Sequence, residues 1–351
     1  MTVASKTFVI HPSGARVELR QPPLDAGGEG EIHLIDGRSR IVKLIFHPTP
    51  VVIEKLCWML DHAPPRETPW APRDLGWPDG LLIRPETNQI CGYQTMFFEN
   101  ASTLETVFNR IERVRTFPNW TFAHLVNLAA NLARAFERAH RLNLTLGDVS
   151  SRNAMCDERT YVKLIDLESA QIDAGKSLLP CLVATTDYTA PELQAVDDFS
   201  KVRRTVFHDS FGLAVLVYQL IGDGVHPYYG TVESPGGPKT MPPGMAERVS
   251  QNLWAHSSST AAKPRVTPPP DACDFASMPT QLQDLFHRAF DEGHVNPSRR
   301  PAPREFVDAL EVMFKTLTRC SVNPKHQFAQ GLAKCPWCVR RAATGIESFP
   351  A

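Results

Sequence analysis

The chain has almost no net charge, and this lack weighs against one group of functions. Its 351 residues include 37 Lys and Arg against 38 Asp and Glu, which gives a formal net charge of -1. A chain with this balance has no overall field to draw nucleic acid or an anionic membrane surface toward it. We therefore expect neither nucleic acid nor a membrane to be its main partner.

A long apolar run is also lacking. The longest one, residues 211–221, is well short of the roughly 20 residues that a membrane-spanning helix needs. The first residues show no charged segment followed by an apolar one, so we expect no signal peptide. These absences predict a cytoplasmic protein. Proline, in contrast, is plentiful at 30 residues, which predicts long irregular connections.

The hydrophobic pattern changes period along the chain, and this change predicts two lobes. Strand-like runs dominate the first hundred residues, at 31–35, 40–46, 81–83 and 90–98, with a hairpin signal at Asp36-Gly37 and a short helix at 48–60. Helical patterns follow at 121–142, 207–220, 281–290 and 303–317. A Pro/Gly/Ser-rich stretch at 233–271, with one possible helix at 245–254, is predicted to be a long loop.

We therefore predict an α+β protein with a small antiparallel β-rich lobe and a larger helical lobe. The proposed boundaries are residues 1–98 for the first lobe and 99–317 for the second. A tail at 318–351 completes the chain.

Three glycines and a lysine in the first lobe suit a polyphosphate. Gly27, Gly28 and Gly30 would let backbone N–H groups approach phosphate oxygens, although for this segment alone a plain glycine-rich turn is the simpler explanation. Lys43 lies between aliphatic residues of the next strand, so its charge needs a partner. Phosphate oxygens and a carboxylate would serve, and Glu54 on the following helix is the candidate carboxylate. Glu54 on a solvated helix face is the alternative.

The segment after the long helix carries three more polar groups. Asp148 and Asn153 lie five residues apart on a loop, and Asp166 ends an apolar strand. One carboxylate could orient a hydroxyl nucleophile, while an amide oxygen and the second carboxylate could hold Mg²⁺ against the phosphates. This order and spacing are more specific than the glycine-rich segment, and they predict magnesium–nucleotide chemistry.

Together these motifs resemble the protein kinase family. Gly27 and Gly30 resemble the second and third glycines of its phosphate loop, with Asp25 in place of the first. Lys43 resembles the lysine that holds the phosphates, Asp148 the catalytic aspartate, and Asn153 and Asp166 the magnesium ligands. Three further matches are Ala190-Pro191-Glu192 at the end of the activation segment, Asp209 as the buried anchor of the catalytic loop, and Arg300 as the partner of Glu192. The resemblance implies an ATP-dependent protein serine/threonine kinase of bacterial type.

The chain departs from the kinase pattern at several positions. Gly147 replaces the arginine that usually clamps an activation-loop phosphate, so we expect activity that does not depend on such a phosphate. Ser150 replaces the catalytic-loop lysine, and we expect Arg152 to compensate as a catalytic cation, with a surface position for Arg152 as the alternative. Glu168 replaces the glycine that follows the magnesium aspartate. Glu168 adds a carboxylate near the site and should restrict a flip into an inactive state.

The tail predicts a metal site. Cys320, His326, Cys335 and Cys338 form a C-x5-H-x8-C-x2-C pattern, and three thiolates with one imidazole suit a tetrahedral structural Zn²⁺. Free thiols are the alternative. The segment 312–346 also holds six Lys and Arg and no acid, which could contact RNA, DNA or an acidic partner but is more simply a solvated surface.

A narrower resemblance suggests partners. Residues 165–171, 187–193, 226–228 and 335–338 resemble the kinases of the tellurium-resistance-associated phosphorylation triads. That resemblance implies a von Willebrand A-type protein and a metal-dependent serine/threonine phosphatase as neighbours. Two rival functions stay open at this point: an ATP-binding pseudokinase scaffold, and an adaptor whose basic zinc tail binds nucleic acid or a partner.

Overall fold

A computed structural model describes residues 6–19, 21–35, 37, 39–64, 74–233, 239–240, 244–257 and 265–351. Asp36 of the predicted hairpin lies outside the described residues, as do parts of the 233–271 stretch. Among the described helices, none combines the length and apolar character that crossing a bilayer requires.

The first lobe is a seven-stranded antiparallel sheet with one helix. Its strands are β1 (Thr7–His11), β2 (Ala15–Glu18), β3 (Asp25–Ala26), β4 (Gly30–Ile35), β5 (Arg40–Ile45), β6 (Gly80–Arg84) and β7 (Gln89–Met96), and the helix is α1 (Pro50–Asp61). The strand order is β2-β1-β6-β7-β5-β4-β3. Lys43 on β5 pairs in register with Ile32 on β4 and Tyr93 on β7, so the lysine lies in the middle of the sheet.

The second lobe is mainly helical. Its helices are α2 (Leu104–Phe108), α3 (Arg110–Thr116), α4 (Phe122–Arg141), α5 (Val206–Ile221), α6 (Met245–Ser250), α7 (Thr280–His287), α8 (Gly293–Val295) and α9 (Pro303–Lys315). Short strands lie between them: β8 (Ser102–Thr103), β9 (Leu144–Thr145), β10 (Ala154–Cys156), β11 (Val162–Leu164), β12 (Gln171–Asp173) and β13 (Leu178–Leu179). The mostly apolar α5 is buried along nearly its whole length, as its pattern predicts.

Three helices of the second lobe, α4, α5 and α9, carry most of its core. The inward face of α4 buries residues at helical spacing, among them Leu125, Leu128, Leu132 and Phe136. This face packs against α5 and α9. The same core extends to β10 and β11, so the loops that carry Asp148 and Asp166 start from a rigid base.

The stretch at 233–271 is more regular than the sequence predicts. Three short antiparallel strands lie at its start or within it, namely β14 (Thr231–Glu233), β15 (Lys239–Thr240) and β16 (Arg265–Thr267). The predicted helix at 245–254 is the shorter α6. The interpretation as one long loop is wrong for the described residues. Val232 and Val266 are paired on neighbouring strands, and their side chains are buried in one cluster with Leu253.

The tail packs onto the second lobe rather than standing apart from it. It contains β17 (Leu317–Arg319), β18 (Gln327–Ala329) and α10 (Pro336–Thr344). Trp337 and Phe349 join the main core, and the Trp337 ring contacts Phe122 at the start of α4 with 4.8 Å between centroids. The Gln327 amide oxygen accepts hydrogen bonds from the Thr121 hydroxyl and the Ala123 N–H. Burial of two aromatic rings ties the tail to the lobe.

Several of the tail's basic residues have structural partners. Arg340 donates to Asp223, Lys325 to the carbonyl oxygen of Pro118, and Arg341 pairs with Glu347. Part of the positive charge in this segment is therefore used in contacts within the protein.

Candidate active site

A cleft of about 700 Å³ lies between the sheet and the helical lobe. Apolar side chains line part of its wall, including Ile32, Ile41 and Ile165. The glycine-rich segment, Lys43, Asn153 and Asp166 also line it. A cleft of this size with few converging polar groups is typical of a ligand site.

Lys43 and Asp166 meet in this cleft although they come from different lobes. The Lys43 Nζ atom lies 3.0 Å from Asp166 Oδ1 and 2.6 Å from Glu168 Oε1. Burial favours the neutral amine, but the two carboxylates outweigh this effect and raise the pKa of Lys43 above its ordinary value. Lys43 is therefore held as a cation at the cleft wall.

The expected Lys43–Glu54 pair is wrong for this structure. Glu54 is exposed on α1, and the described carboxylates that contact Lys43 are those of Asp166 and Glu168. The next residue, Lys55, turns inward instead and donates to the carbonyl oxygen of Ser169 at 3.1 Å. Burial lowers the pKa of Lys55 to about 8.

Glu168, which the sequence marks only as a departure, is the buried carboxylate of the site. Its Oε2 atom accepts a hydrogen bond of 2.9 Å from the Tyr93 hydroxyl on β7. Burial raises the pKa of Glu168, and Lys43 offsets only part of that rise. Its position two residues after Asp166 indicates a place near the site. The sequence contains no signal that Glu168 contacts Lys43.

The catalytic-loop residues lie close together. The Asn153 amide nitrogen donates to the backbone oxygen of Asp148 at 3.0 Å and to its Oδ2 at 3.2 Å. These two bonds hold the amide nitrogen of Asn153 against Asp148, and Asn153 lines the cleft together with Asp166. The Thr185 hydroxyl donates to Asp148 Oδ1 at 2.8 Å. Asp148 thus already accepts a hydrogen bond from a hydroxyl group, as expected of a residue that orients an alcohol.

Asp166 has an unusual backbone. Its φ angle is 58°, in the left-handed region that non-glycine residues seldom adopt. Hydrogen bonds from the N–H and the hydroxyl of Ser169 to the Asp166 carbonyl oxygen hold the turn. Strain of this kind is often found at functional sites, where the surrounding structure fixes a side chain in one direction.

The glycines of the phosphate-loop candidate have different structural reasons. Gly30 faces β5 so closely that a Cβ atom there would lie 2.2 Å from the carbonyl oxygen of Leu44. Gly27 and Gly28 have open space around them at the tip of the turn. Packing therefore requires glycine at position 30, whereas the two tip glycines leave room for a ligand to approach the backbone.

Arg152 lies at the mouth of the cleft. Its guanidinium donates to both carboxylate oxygens of Glu105, at 2.9 to 3.1 Å, and its side chain is 74% exposed. In this arrangement it does not contact Asp148. Its compensation for Ser150 stays a prediction, and the surface alternative gains support.

Two buried charged side chains, those of Asp209 and Arg300, hold the segments that flank the site. The Asp209 carboxylate accepts bonds from the N–H groups of Leu146 and Gly147 at 2.7 and 2.9 Å. Arg300 forms a two-pronged pair with Glu192, at 2.8 and 2.7 Å. Both arrangements agree with the roles that the resemblance implies.

Arg204 occupies the surroundings of Gly147. A Cβ atom at position 147 would lie 2.7 Å from the Cys181 sulfur, so a side chain has no room there. Arg204 donates to the carbonyl oxygens of Val183 and Gly147, at 3.1 and 3.4 Å. These bonds tie Arg204 to the activation segment and to the catalytic loop. Activity that does not depend on an activation-loop phosphate stays a prediction.

The four predicted zinc ligands converge in the tail. His326 Nδ1 lies 3.5 Å from Cys338 Sγ and 3.7 Å from Cys335 Sγ, and the sulfurs of Cys320 and Cys338 are 3.6 Å apart. Ligands roughly 2.3 Å from a tetrahedral zinc ion lie about 3.7 Å from one another, so the set fits this ion. Glu347, which the sequence analysis missed, lies 2.7 Å from His326 Nε2 and would orient the ring.

Comparison with known families identifies the class of protein. A family model described as "Protein kinase domain" matches residues 89–308. This match covers more than half of the chain, and together with the fold it shows that the chain belongs to the protein kinase family. The two-lobed kinase-like architecture predicted from the sequence is thereby confirmed.

Individual relatives point to a bacterial branch. The chain is 28% identical over 320 residues to "Protein kinase YegI" of Escherichia coli O157:H7 and of Escherichia coli strain K12, covering 90% of this chain and 48% of either relative. It is also 28% identical over 115 residues to "cAMP-dependent protein kinase catalytic subunit 2" of Drosophila melanogaster, covering 33% of this chain and 30% of that protein. The chain spans about half the length of the YegI relatives.

Proposed function

We propose that this protein transfers the terminal phosphoryl group of ATP to serine or threonine hydroxyls of a protein. The observation that carries the proposal is the pairing of Lys43 with Asp166 across a cleft that Asn153 also lines. The family membership supports it. A pseudokinase would not require Asp148, Asn153 and Asp166 to be kept together with the phosphate-binding lysine.

Each residue has a role in this proposal. Lys43 binds phosphate oxygens of ATP, and the open backbone at Gly27 and Gly28 covers them. Asp166 and the amide oxygen of Asn153 are the proposed ligands of Mg²⁺, which would neutralise charge on the phosphates. Asp148 accepts the proton of the acceptor hydroxyl as the catalytic base, and it already accepts a hydrogen bond from the Thr185 hydroxyl.

Labelled ATP tests the proposal directly. The purified chain with Mg²⁺ should transfer label to itself or to a protein acceptor. Asp148→Asn and Asp166→Ala should each reduce transfer by at least about a thousandfold, because positioning and charge stabilisation carry most of this reaction. Equal transfer by the wild type and both variants would contradict the proposal. ATP-dependent thermal stabilisation without transfer would favour the pseudokinase alternative.

Specificity for Ser and Thr is a finer part of the proposal. It rests on the resemblance and on the hydroxyl of Thr185 at the catalytic aspartate. Acid hydrolysis of the labelled acceptor should yield phosphoserine or phosphothreonine. Phosphotyrosine as the main product would contradict this part while leaving kinase activity intact.

The proposed partners follow from the narrower resemblance. We propose a von Willebrand A-type protein as a substrate and a cognate metal-dependent phosphatase as the enzyme that reverses the reaction. Mass spectrometry of such a protein after incubation with kinase and ATP should find new phosphosites that the phosphatase removes. Absence of such sites would exclude this substrate.

The tail is proposed to be a structural zinc module. Its four ligands leave no open coordination position, so the metal would organise the fold rather than react. Proposed limits of the three regions remain residues 1–98, 99–317 and 318–351.

A further inference from the structure

The carboxylate that anchors the phosphate-binding lysine comes from an unexpected place in this chain. Glu168 lies in the helical lobe, two residues after Asp166, and its Oε1 atom is 2.6 Å from Lys43 Nζ. Its side chain is only 8% exposed. The contact crosses the cleft, because Lys43 belongs to β5 of the other lobe.

The second oxygen of Glu168 is also fixed. The Tyr93 hydroxyl donates to Oε2 at 2.9 Å, and Tyr93 is itself 4% exposed. Tyr93 pairs with Lys43 in register on the neighbouring strand. Two adjacent strands therefore present a cation and a hydroxyl to one carboxylate, which leaves Glu168 little freedom to turn.

Helix α1 does not compete for this role. Its inward-facing polar residue is the cation Lys55, which is 1% exposed and donates to the carbonyl oxygen of Ser169. A helix rotates by about 100° per residue, so the exposed Glu54 cannot share the inward direction of Lys55. Helix α1 holds the segment that carries Glu168 but contributes no carboxylate to the described contacts of Lys43.

We propose that Glu168 is a positioning residue that holds Lys43 toward the nucleotide, so that the lysine's anchor moves with the Asp166 segment and not with α1. This inference rests on the proposed function and deepens it. Asp166 is the proposed magnesium ligand, so once it binds the ion, Glu168 is the carboxylate that keeps Lys43 in place. A displacement of the 166–169 segment would then remove the metal ligand and the lysine anchor together.

Replacement of Glu168 separates this role from the alternative on α1. Glu168→Gln should raise the KM for ATP and weaken MgATP binding in calorimetry by at least about tenfold, with a smaller change in kcat, because a charge-assisted contact is lost. Glu54→Gln tests the rival anchor and should change MgATP binding by less than about twofold. Glu112→Gln, a partly exposed position on α3, is the matched control. The reverse pattern, a loss with Glu54→Gln and none with Glu168→Gln, would overturn the inference.

A double-mutant cycle excludes a purely structural role. In a Lys43→Met background, Glu168→Gln should cause no further loss of MgATP affinity, since the group that it positions is gone. Equal losses in both backgrounds would overturn the inference, even if Glu168→Gln lowers Tm. Glu168→Asp should recover part of the affinity, because it restores the charge at a shorter reach.

The same measurements distinguish failure of the inference from failure of the proposed function. A wild-type chain that binds MgATP but transfers no label would sink the kinase proposal, and the affinity cycle would still decide on Glu168. A wild-type chain that does not bind MgATP would overturn both.

Discussion

Glu168 in the cleft and Asp223 beneath the tail are both buried carboxylates, but their surroundings differ. Asp223 binds Arg113 and Arg340 at 2.5 and 2.6 Å and accepts a bond of 2.6 Å from the Ser348 hydroxyl. Burial alone would raise its pKa, yet the two guanidinium groups outweigh burial and hold the pKa below its ordinary value. Glu168 has one cation, which it shares with Asp166, and its pKa is raised.

The difference teaches what each acid is for. Asp223 joins α3, the end of α5 and the tail through contacts that are complete within the chain, so it is a structural acid. The Lys43–Glu168–Asp166 group leaves its cation beside an open cleft, where phosphate oxygens can complete its contacts. A buried acid with surplus donors stabilises the fold, whereas a cation shared by two acids at a cleft is suited to a ligand.

Of the two buried acids, Asp223 should contribute far more to the stability of the fold. Asp223→Asn would leave Arg113 and Arg340 buried without their counter-charge and should lower the free energy of unfolding by roughly 3–5 kcal/mol. Glu168→Gln should cost less, since its amide can still bond Tyr93. Denaturant unfolding measures both, with the exposed Asp197→Asn as control. A larger stability loss for Glu168→Gln than for Asp223→Asn would reverse the assignment of the two acids.

Removal of zinc should have the next largest effect on stability, and it should act on the tail and not on the cleft. About one zinc ion per chain is expected by elemental analysis, and Cys338→Ser or a strong chelator should remove it. Tm should then fall by roughly 5 °C or more, because the tail that carries Arg340 and Ser348 loses its staple. Cys57→Ser on α1 should keep both zinc and Tm. Wild-type protein without zinc would contradict the metal assignment.

A buried histidine of the second lobe should make the stability of the fold depend on pH. His226 is buried as a neutral ring, with Nε2 3.0 Å from the Asp187 carbonyl oxygen and Nδ1 accepting from the Tyr228 N–H. Burial lowers its pKa from 6.5 to about 4. As the pH falls, His226 is therefore protonated in the unfolded chain before it is protonated in the folded one. The contribution of His226 to the stability of the fold is complete above pH 6.5 and is lost as the pH falls toward 4.

This loss should reach about 3 kcal/mol for His226 and appear as a slope in unfolding free energy between those pH values. His226→Gln should reduce the slope without abolishing it, because burial also lowers the pKa of His256 to about 4. Denaturant unfolding at four or five pH values provides the measurement. An unchanged slope in the variant would show that His226 is not held neutral.

Replacement of Arg152 should have the smallest effect. Its pair with Glu105 is exposed, so Arg152→Gln should leave stability unchanged within error. Its effect on kcat decides between two interpretations. A fall of about tenfold or more would support compensation for Ser150, and an unchanged kcat would make Arg152 a surface residue. Arg115→Gln, another exposed arginine, is the matched control.

Much of the fold follows from local pattern. The strands at β4 and β5, the helix α4 and the buried α5 were predictable because alternation and helical spacing record which faces are covered. Short helices such as α2 and α3, and the pairing of β14 with β16, were missed because segments this short carry little periodic signal. Their conformation depends on what packs against them.

Within the site, the sequence determined the residue types and their order: Lys43, Asp148, Asn153 and Asp166, and the Cys/His pattern of the tail. It could not determine which acid meets Lys43. The side chains of Glu54 and Lys55 differ by one step of helix rotation, and Glu168 lies 125 residues from Lys43 along the chain. Only the docking of the two lobes decided that contact, because the partner of a buried charge is set by the surfaces that enclose it, and those surfaces form only when the chain folds.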